Sequence, residues 1–313
     1  MGICFSIETI YVKAMLPTLR QLQYLKLLAE HHSFSRAAEA AHVTQPTLSA
    51  GVQELEKILG CPVVDRGHAG VILTAAGEEA VTRAEAILAQ AEDLVQAARG
   101  AGQPLAGRFR LGVIPTIAPF LLPKALPALR RRFPKLRLFL REDLTSRMIG
   151  ALKSGALDAA LIALPYDMNG LEWADVAEDE LFAAFPANHP LTVETRVSPA
   201  LLDDQDLILL EDGHCLREHA LAACGLSSSR PRDEFAFAAT SLPTLVQMVG
   251  SGLGVSFLPA MAVEAGLADA AAVTVRPLAA DHPSRQIVVA WRAGSSRAAE
   301  GKLLAEVLRG EGG

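Results

Sequence analysis

The chain has 313 residues, half of them hydrophobic and a fifth charged, with a net charge of −6. That length exceeds one ordinary core and suits a small domain joined to a larger one, and the composition excludes a disordered chain. No apolar run approaches the roughly 18 residues of a membrane span, so the expectation is a soluble, cytoplasmic protein with no membrane partner. Residues 1–14 lack the basic start of a signal peptide; Met1-Gly2 followed by Ser6 fits a myristoylation pattern of a kind common by chance. They read as an N-terminal extension. Four cysteines, Cys4, Cys61, Cys215 and Cys224, do not make a disulfide scaffold at this length, so reduced thiols are expected and any disulfide should be transient.

From residue 15 the pattern is helical. Leu22, Leu25, Leu28 and Ala29 mark an amphipathic helix ending near His31-His32-Ser33. Ser35 is the expected N-cap of a short second helix through Ala41. After a break at His42-Val43, Thr44 caps a third helix with Pro46 in its first turn. Leu48, Val52, Leu55 and Leu59 form its buried stripe. Two short helices with a tight turn between them predict a helix-turn-helix.

Residues 62–64 and 71–73 predict a small β wing around a turn at 67–70. Thr74 then caps a long alanine-rich helix to about Arg99. Val81, Ala84, Leu88, Ala91, Val95 and Ala98 alternate steps of three and four, a heptad seam that predicts a homodimer. The alternative is packing on the helix's own domain. Residues 100–107 read as a hinge. Beyond it, strands at 108–114, 136–141, 157–164, 206–210, 235–239, 255–258 and 286–291 alternate with helices at 119–133, 145–154 and 297–308. That predicts a mostly parallel sheet, with about 200 residues forming two lobes around a cleft. The domain limits are thus 15–74, 75–99, 100–107 and 108–313, with lobe I near 108–178 and 284–313 and lobe II near 179–283.

Residues 15–70 carry five basic and five acidic side chains, so DNA binding must rest on geometry rather than a basic block. With the apolar stripe buried, Gln45, Thr47, Ser49 and Gln53, beside Pro46, are left to face a major groove. Gln pairs bidentately with adenine, and Ser or Thr offers a hydroxyl or methyl to a base edge. Ser33, Ser35, Arg36, Thr44 and Arg66 suit phosphate contacts. Plain solvation is the alternative for any one of them.

Ser33-Phe34-Ser35-Arg36-Ala37-Ala38, Val43-Thr44-Gln45-Pro46-Thr47-Leu48-Ser49, Leu55-Glu56, Leu59-Gly60, Arg66 and Leu73-Thr74-Ala75-Ala76-Gly77 together resemble the LysR-type DNA-binding domain. The resemblance covers the chain after about Met15. It implies a winged helix-turn-helix followed by an α/β domain of two Rossmann-like lobes, similar to periplasmic binding proteins. It also implies a regulator of transcription rather than an enzyme, with no cofactor and no metal. Its partners would be double-stranded DNA at a roughly palindromic operator, further copies of itself as dimer or tetramer, and RNA polymerase. The wing turn Gly67-His68-Ala69-Gly70 lacks the basic residues usual there.

Within the family, Gly112-Val113-Ile114-Pro115-Thr116, the run Leu210-Glu211-Asp212-Gly213-His214-Cys215-Leu216-Arg217, Cys224, and Ala239-Thr240-Ser241-Leu242 resemble OxyR-type peroxide sensors. That likeness implies that Cys215 is oxidised by hydrogen peroxide and resolved by Cys224. It assigns Thr116, Thr145 and His214 to placing the peroxide. Both threonines end strands just before helices, where capping is an equally good use. Residues 215–223 read as a short helix, and nine helical residues rise roughly 13–14 Å, whereas a disulfide needs Cα atoms within about 7 Å. Bridging would therefore unwind the helix. His214, Arg217 and the helix start should favour the thiolate. The alternatives are two core cysteines in a metabolite-responsive relative, or a thiol peroxidase, which would have no use for a helix-turn-helix.

Overall fold

A computed structural model of the chain describes residues 16–65, 71–99, 104–223, 225, 238–279 and 283–311. Two compact units divide between Glu92 and Asp93, inside the long fourth helix. The first unit holds α1 (Leu19–His31), α2 (Phe34–Ala40), α3 (Gln45–Leu59), the two-stranded wing β1 (Val64–Asp65) and β2 (Ile72–Leu73), and most of α4 (Ala75–Arg99). A reciprocal cap opens α1: the Thr18 hydroxyl accepts the Gln21 N–H, and the Gln21 side chain accepts the Thr18 N–H. The second helix is capped two residues earlier than expected, by Ser33 rather than Ser35. Ser33 is extended and its hydroxyl accepts the Arg36 N–H at 3.4 Å, leaving Ser35 on the exposed face.

Leu22, Tyr24, Leu25 and Leu28 of α1 pack with Ala37, Ala38, Leu48, Val52 and Leu55. Gly51 stands where α1 crosses α3 closely, and an added Cβ would strike the Tyr24 ring. At about 1 kcal/mol, a mid-helix glycine is a small cost for that approach. Glu56 holds the wing by accepting the Val63 N–H at 3.0 Å, and Thr74 caps α4 while donating to the Pro62 carbonyl at 2.8 Å.

The expected seam on α4 divides. Ala84 is buried in the first unit's own core, with Val81 and Leu88 packed against it. Ile87, Leu94 and Val95 are exposed, Leu94 at 72%. The side chain of Ala98 lies outside the described residues.

The second unit is built on a seven-stranded sheet: β3 (Gly107–Val113), β4 (Leu136–Glu142), β5 (Ala159–Leu164), β6 (Leu171–Pro186), β9 (Ser256–Pro259), β10 (Val273–Pro277) and β11 (Ser284–Arg292). β7 (Leu209–Leu210) and β8 (Ala238–Ala239) make a separate pair. Helices α5 (Ala118–Arg132), α6 (Thr145–Lys153), α7 (Cys215–Ala223), α8 (Leu242–Gly250), α9 (Ala260–Glu264) and α10 (Ala298–Glu311) cover it. β3 pairs in parallel with β4 and β5, but β11 and β6 make only antiparallel pairs. The sheet is therefore mixed rather than mostly parallel, because β6 and β11 cross the unit in opposite directions. There are two apolar cores. β6 contributes Leu171 and Val176 to one and Leu181, Ala183, Ala184 and Phe185 to the other.

α7 lies against both. Leu216, Ala220 and Leu221 belong to the second core, whereas Cys215, at the helix start, is buried in the first. A two-lobed α/β unit behind a winged helix-turn-helix is the fold expected from the sequence.

The division of the α4 seam gives a test of pairing. Leu88→Glu should destabilise the first unit by about 3 kcal/mol, because it puts charge into that unit's own core. Leu94→Glu should leave the circular dichroism melt unchanged and lower the assembled mass in light scattering. An unchanged mass would mean that the distal half of α4 is not where two chains meet.

Candidate functional site

On the first unit, Gln45, Pro46, Thr47 and Gln53 are exposed on α3 and Ser49 is half-buried, opposite the Leu48–Val52–Leu55 stripe. Thr44 caps the helix, its hydroxyl accepting the Thr47 N–H and pairing with the Thr47 hydroxyl at 2.8 Å. Ser33 caps α2, with Ser35 and Arg36 exposed beside it. The Arg36 guanidinium donates to the His31 carbonyl at 2.7 Å. Lys26 and Lys57 each pair with a carboxylate about one turn away, Glu30 and Glu54. Arg66 and the wing turn lie outside the described residues.

On the second unit the organising pair is Arg285 on β11 with Asp179, its cross-strand partner on β6. The side chains are 0% and 2% exposed, with Arg285 Nε donating to Asp179 Oδ2 at 2.9 Å. A buried ion pair persists only when its remaining hydrogen-bonding positions are filled. Here Nη1 donates to the Thr116 hydroxyl at 2.8 Å and Nη2 to the Thr116 carbonyl at 3.0 Å. Asp179 Oδ1 accepts the Met261 N–H, near the start of α9, at 3.0 Å. One guanidinium thus ties the turn after β3 to β6 and, through Asp179, to α9.

Cys215 lies beside this pair, 3% exposed and a free thiol. Burial pushes its pKa up. The Arg285 charge and the Thr145 hydroxyl oppose that rise, Glu218 adds to it, and the Leu216 N–H opposes it. The sequence pointed to His214 and Arg217 as the groups favouring the thiolate, and here the structure differs. Arg217 donates to the Leu210 carbonyl and pairs with Asp212, both at 3.3 Å. His214 is half-buried, and burial lowers its pKa against the opposing charge of Glu211, so it is neutral near pH 7. The cation that acts on the thiol comes from β11.

Thr145, the first residue of α6, is 1% exposed, and its buried hydroxyl has no partner but the Cys215 sulfur. Thr116, Thr145 and Cys215 are therefore gathered around Arg285. Cys224 lies outside the described residues, as does Cys4; Cys61 is a half-buried free thiol at the wing entry. Sequence reasoning missed Arg285, Asp179 and a third buried polar group, His219. Arg285 opens an apolar strand and Asp179 sits in an acidic run; only the register that joins them reveals the pair. Ser284 and Gln286, flanking Arg285 and so facing the other side of the sheet, line an open depression of about 450 Å3 with Leu164, Tyr166, Met168 and Trp173.

Two family models match the chain: "Bacterial regulatory helix-turn-helix protein, lysR family" over residues 19–78 and "LysR substrate binding domain" over residues 102–312. The chain belongs to the LysR family of bacterial transcriptional regulators. That family consists of DNA-binding regulators, not enzymes. Among relatives of this regulator, the HTH-type transcriptional regulator EstR of Acinetobacter baylyi is 43% identical over 80% of this chain and 82% of its own. A hydrogen peroxide-inducible genes activator of Dickeya chrysanthemi is 36% identical over 93% and 94%. A full-length OxyR variant from Pseudomonas aeruginosa superposes with a TM-score of 0.77 at 36% identity, covering 94% of this chain and 95% of that one. Among the described residues of the regulator, no helix is long and apolar enough to cross a membrane.

If Arg285 is the counter-ion of the thiol, Arg285→Gln should raise the Cys215 pKa further and slow its alkylation at neutral pH. The same change strands Asp179 and should cost on the order of 3–5 kcal/mol in stability, read by denaturant unfolding. An alkylation pH profile identical to the wild type would remove Arg285 from the thiol's electrostatics.

Proposed function

We propose that this regulator senses hydrogen peroxide through Cys215 and changes its hold on DNA when Cys215 is joined to Cys224. The observation that carries the reading is the setting of Cys215: a buried thiol at a helix start, beside a buried guanidinium and two buried threonines. The likeness to a peroxide-inducible activator and to OxyR over nearly the whole chain supports it. The Cys215 thiolate attacks one peroxide oxygen, the O–O bond breaks, and the second oxygen leaves as hydroxide and becomes water. Sulfur is oxidised to sulfenic acid as peroxide is reduced. The Cys224 thiolate then displaces hydroxide from that sulfur to give the disulfide, the hydroxide taking up a proton to become water, and a cellular thiol reductant reverses it. Thr116, Thr145 and His214 place the peroxide.

The switch follows from helix geometry. Eight helical steps separate Cys215 from Ala223, about 12 Å. The next Cα lies 3.8 Å further along the chain, so it stays about 8 Å or more from that of Cys215 while α7 is intact. A disulfide needs about 7 Å or less. Joining the two cysteines therefore unwinds the helix and draws Cys215 away from the first core, which rearranges what packs there.

DNA is held by Ser33, Ser35, Arg36, Thr44, Gln45, Pro46, Thr47, Ser49, Gln53 and Arg66, with 15–74 as the reading domain and 75–99 as the pairing helix. A homodimer or homotetramer in the cytoplasm would place recognition helices one DNA turn apart, or a multiple, on a roughly palindromic operator, with RNA polymerase as a further partner. A second reading, regulation by a small metabolite in the cleft between the lobes, has in its favour the buried Thr116 and Thr145, whose hydroxyls suit other polar ligands equally well.

The balance of five basic against five acidic side chains over residues 15–70 predicts a shallow salt dependence. A dimer neutralising one phosphate with each Arg36 and Arg66 should show a slope of log affinity against log salt on the order of −4. A slope near −10 would reveal a basic surface assembled elsewhere. Footprinting with and without peroxide tests the switch: Cys215→Ser should abolish the response, and Cys224→Ser should form the sulfenic acid without the switched footprint. Cys4→Ser and Cys61→Ser should respond normally. A peroxide-dependent footprint from Cys215→Ser would sink the mechanism and favour the metabolite reading.

A further inference from the structure

Among the described residues, His219 Nδ1 is a buried side-chain nitrogen without a hydrogen-bond partner, and the buried Thr145 hydroxyl has none but the Cys215 sulfur. Both belong to the surroundings of Cys215. Thr145 acts directly on the thiol, and His219 lies one helical turn from Cys215 on the same buried face of α7, 6% exposed. Buried polar groups without partners are rare, and one a helical turn from a reactive sulfur points to chemistry rather than to packing.

The tautomer of His219 follows from its one bond. Nε2 lies 3.0 Å from the Pro165 carbonyl, which can only accept, so Nε2 carries the hydrogen. Nδ1 of the neutral ring is then a bare lone pair. The ring is kept neutral by burial, with Arg285 pushing the same way as burial and the Pro165 bond and Glu218 opposing. The groups that act on the ring are the Pro165 carbonyl, Arg285 on β11, itself paired with Asp179, and Glu218 on α7. Those that act on Cys215, one turn away, are Arg285, Thr145 on α6 and Glu218, and the Tyr166 hydroxyl after β5 feels both Cys215 and Glu218.

We propose that His219 is the proton relay of the thiol site, its Nδ1 accepting the Cys215 thiol proton during peroxide reduction and returning it to the departing hydroxide. The inference rests on the peroxide reading above. Because burial keeps Cys215 protonated, attack on peroxide requires somewhere for that proton to go. Arg285 cannot accept it, the threonine hydroxyls are too weakly basic, Glu218 is exposed, and His214 is only half-buried and answers to the Glu211 charge. The step balances: the thiol proton moves to Nδ1, sulfur bonds to one oxygen as the O–O bond breaks, and the hydroxide released takes the proton from the imidazolium as water. One thiol and one peroxide give one sulfenic acid and one water, with His219 unchanged.

The test is the pH profile of sulfenic acid formation by stopped flow, in full-length wild type and in His219→Gln. The glutamine amide can still donate to the Pro165 carbonyl, so a purely structural role is preserved, and a thermal melt checks the fold. The wild-type rate should level off above the histidine titration, because the relay no longer needs free thiolate. His219→Gln should lose that plateau, rise tenfold per pH unit, and be slower on the order of a hundredfold at neutral pH. Nitrogen NMR of the wild-type ring should report the Nε2–H tautomer. Superimposable profiles, or an Nδ1–H tautomer, overturn the relay while leaving the peroxide reading intact; a wild type that peroxide does not oxidise overturns both.

Discussion

The second unit depends on the buried contact between Arg285 and Asp179. Removing two charges from water costs several kcal/mol per ion, recovered only where every remaining donor and acceptor finds a partner. The Thr116 hydroxyl and carbonyl and the Met261 N–H supply those partners from separate parts of the chain. The pair therefore fixes where the turn after β3 and the start of α9 must lie. Cys215 is set against the same guanidinium, so its chemistry is tuned by a group whose first duty is to hold the lobes' shared strands in register. The rest of the site inherits its geometry from that register.

The thiol is consequently under two opposed influences. Burial favours the neutral form, and Arg285 and Thr145 favour the anion. With burial ahead, Cys215 rests protonated. An exposed thiol beside a free cation would be oxidised more readily and less selectively.

Much of the first unit was legible in the sequence because its determinants are local. Thr44 with Pro46 announces the start of α3, and Leu48, Val52 and Leu55 fall on one face at helical spacing. Local signals also mislead by small amounts: Ser33 and Ser35 are equally good caps on paper, and packing of Ala37 and Ala38 selects Ser33. In the second unit β3 to β5, and beyond them α7, β9, β11 and α10, were legible as elements, whereas the antiparallel course of the sheet was not. β6 went unseen because its first half alternates with acidic residues and reads as a solvated stretch. β10 is a short strand whose place is set by pairing with β6. In the site, Cys215, Thr116 and Thr145 were visible through motif and position. Arg285, Asp179 and His219 were not, since their roles exist only once distant strands and a helix are brought together.

β6 runs 16 residues without interruption and serves both apolar cores. Lobes joined by a flexible linker can melt one after the other, each with its own transition. Here neither core can lose its order without stripping the strand that floors the other, and β11 runs antiparallel beside much of it. The two lobes should then behave as one cooperative thermodynamic body despite having two hydrophobic centres. Free energy supplied to either one, by a ligand or by a covalent bond, is felt as stability by both.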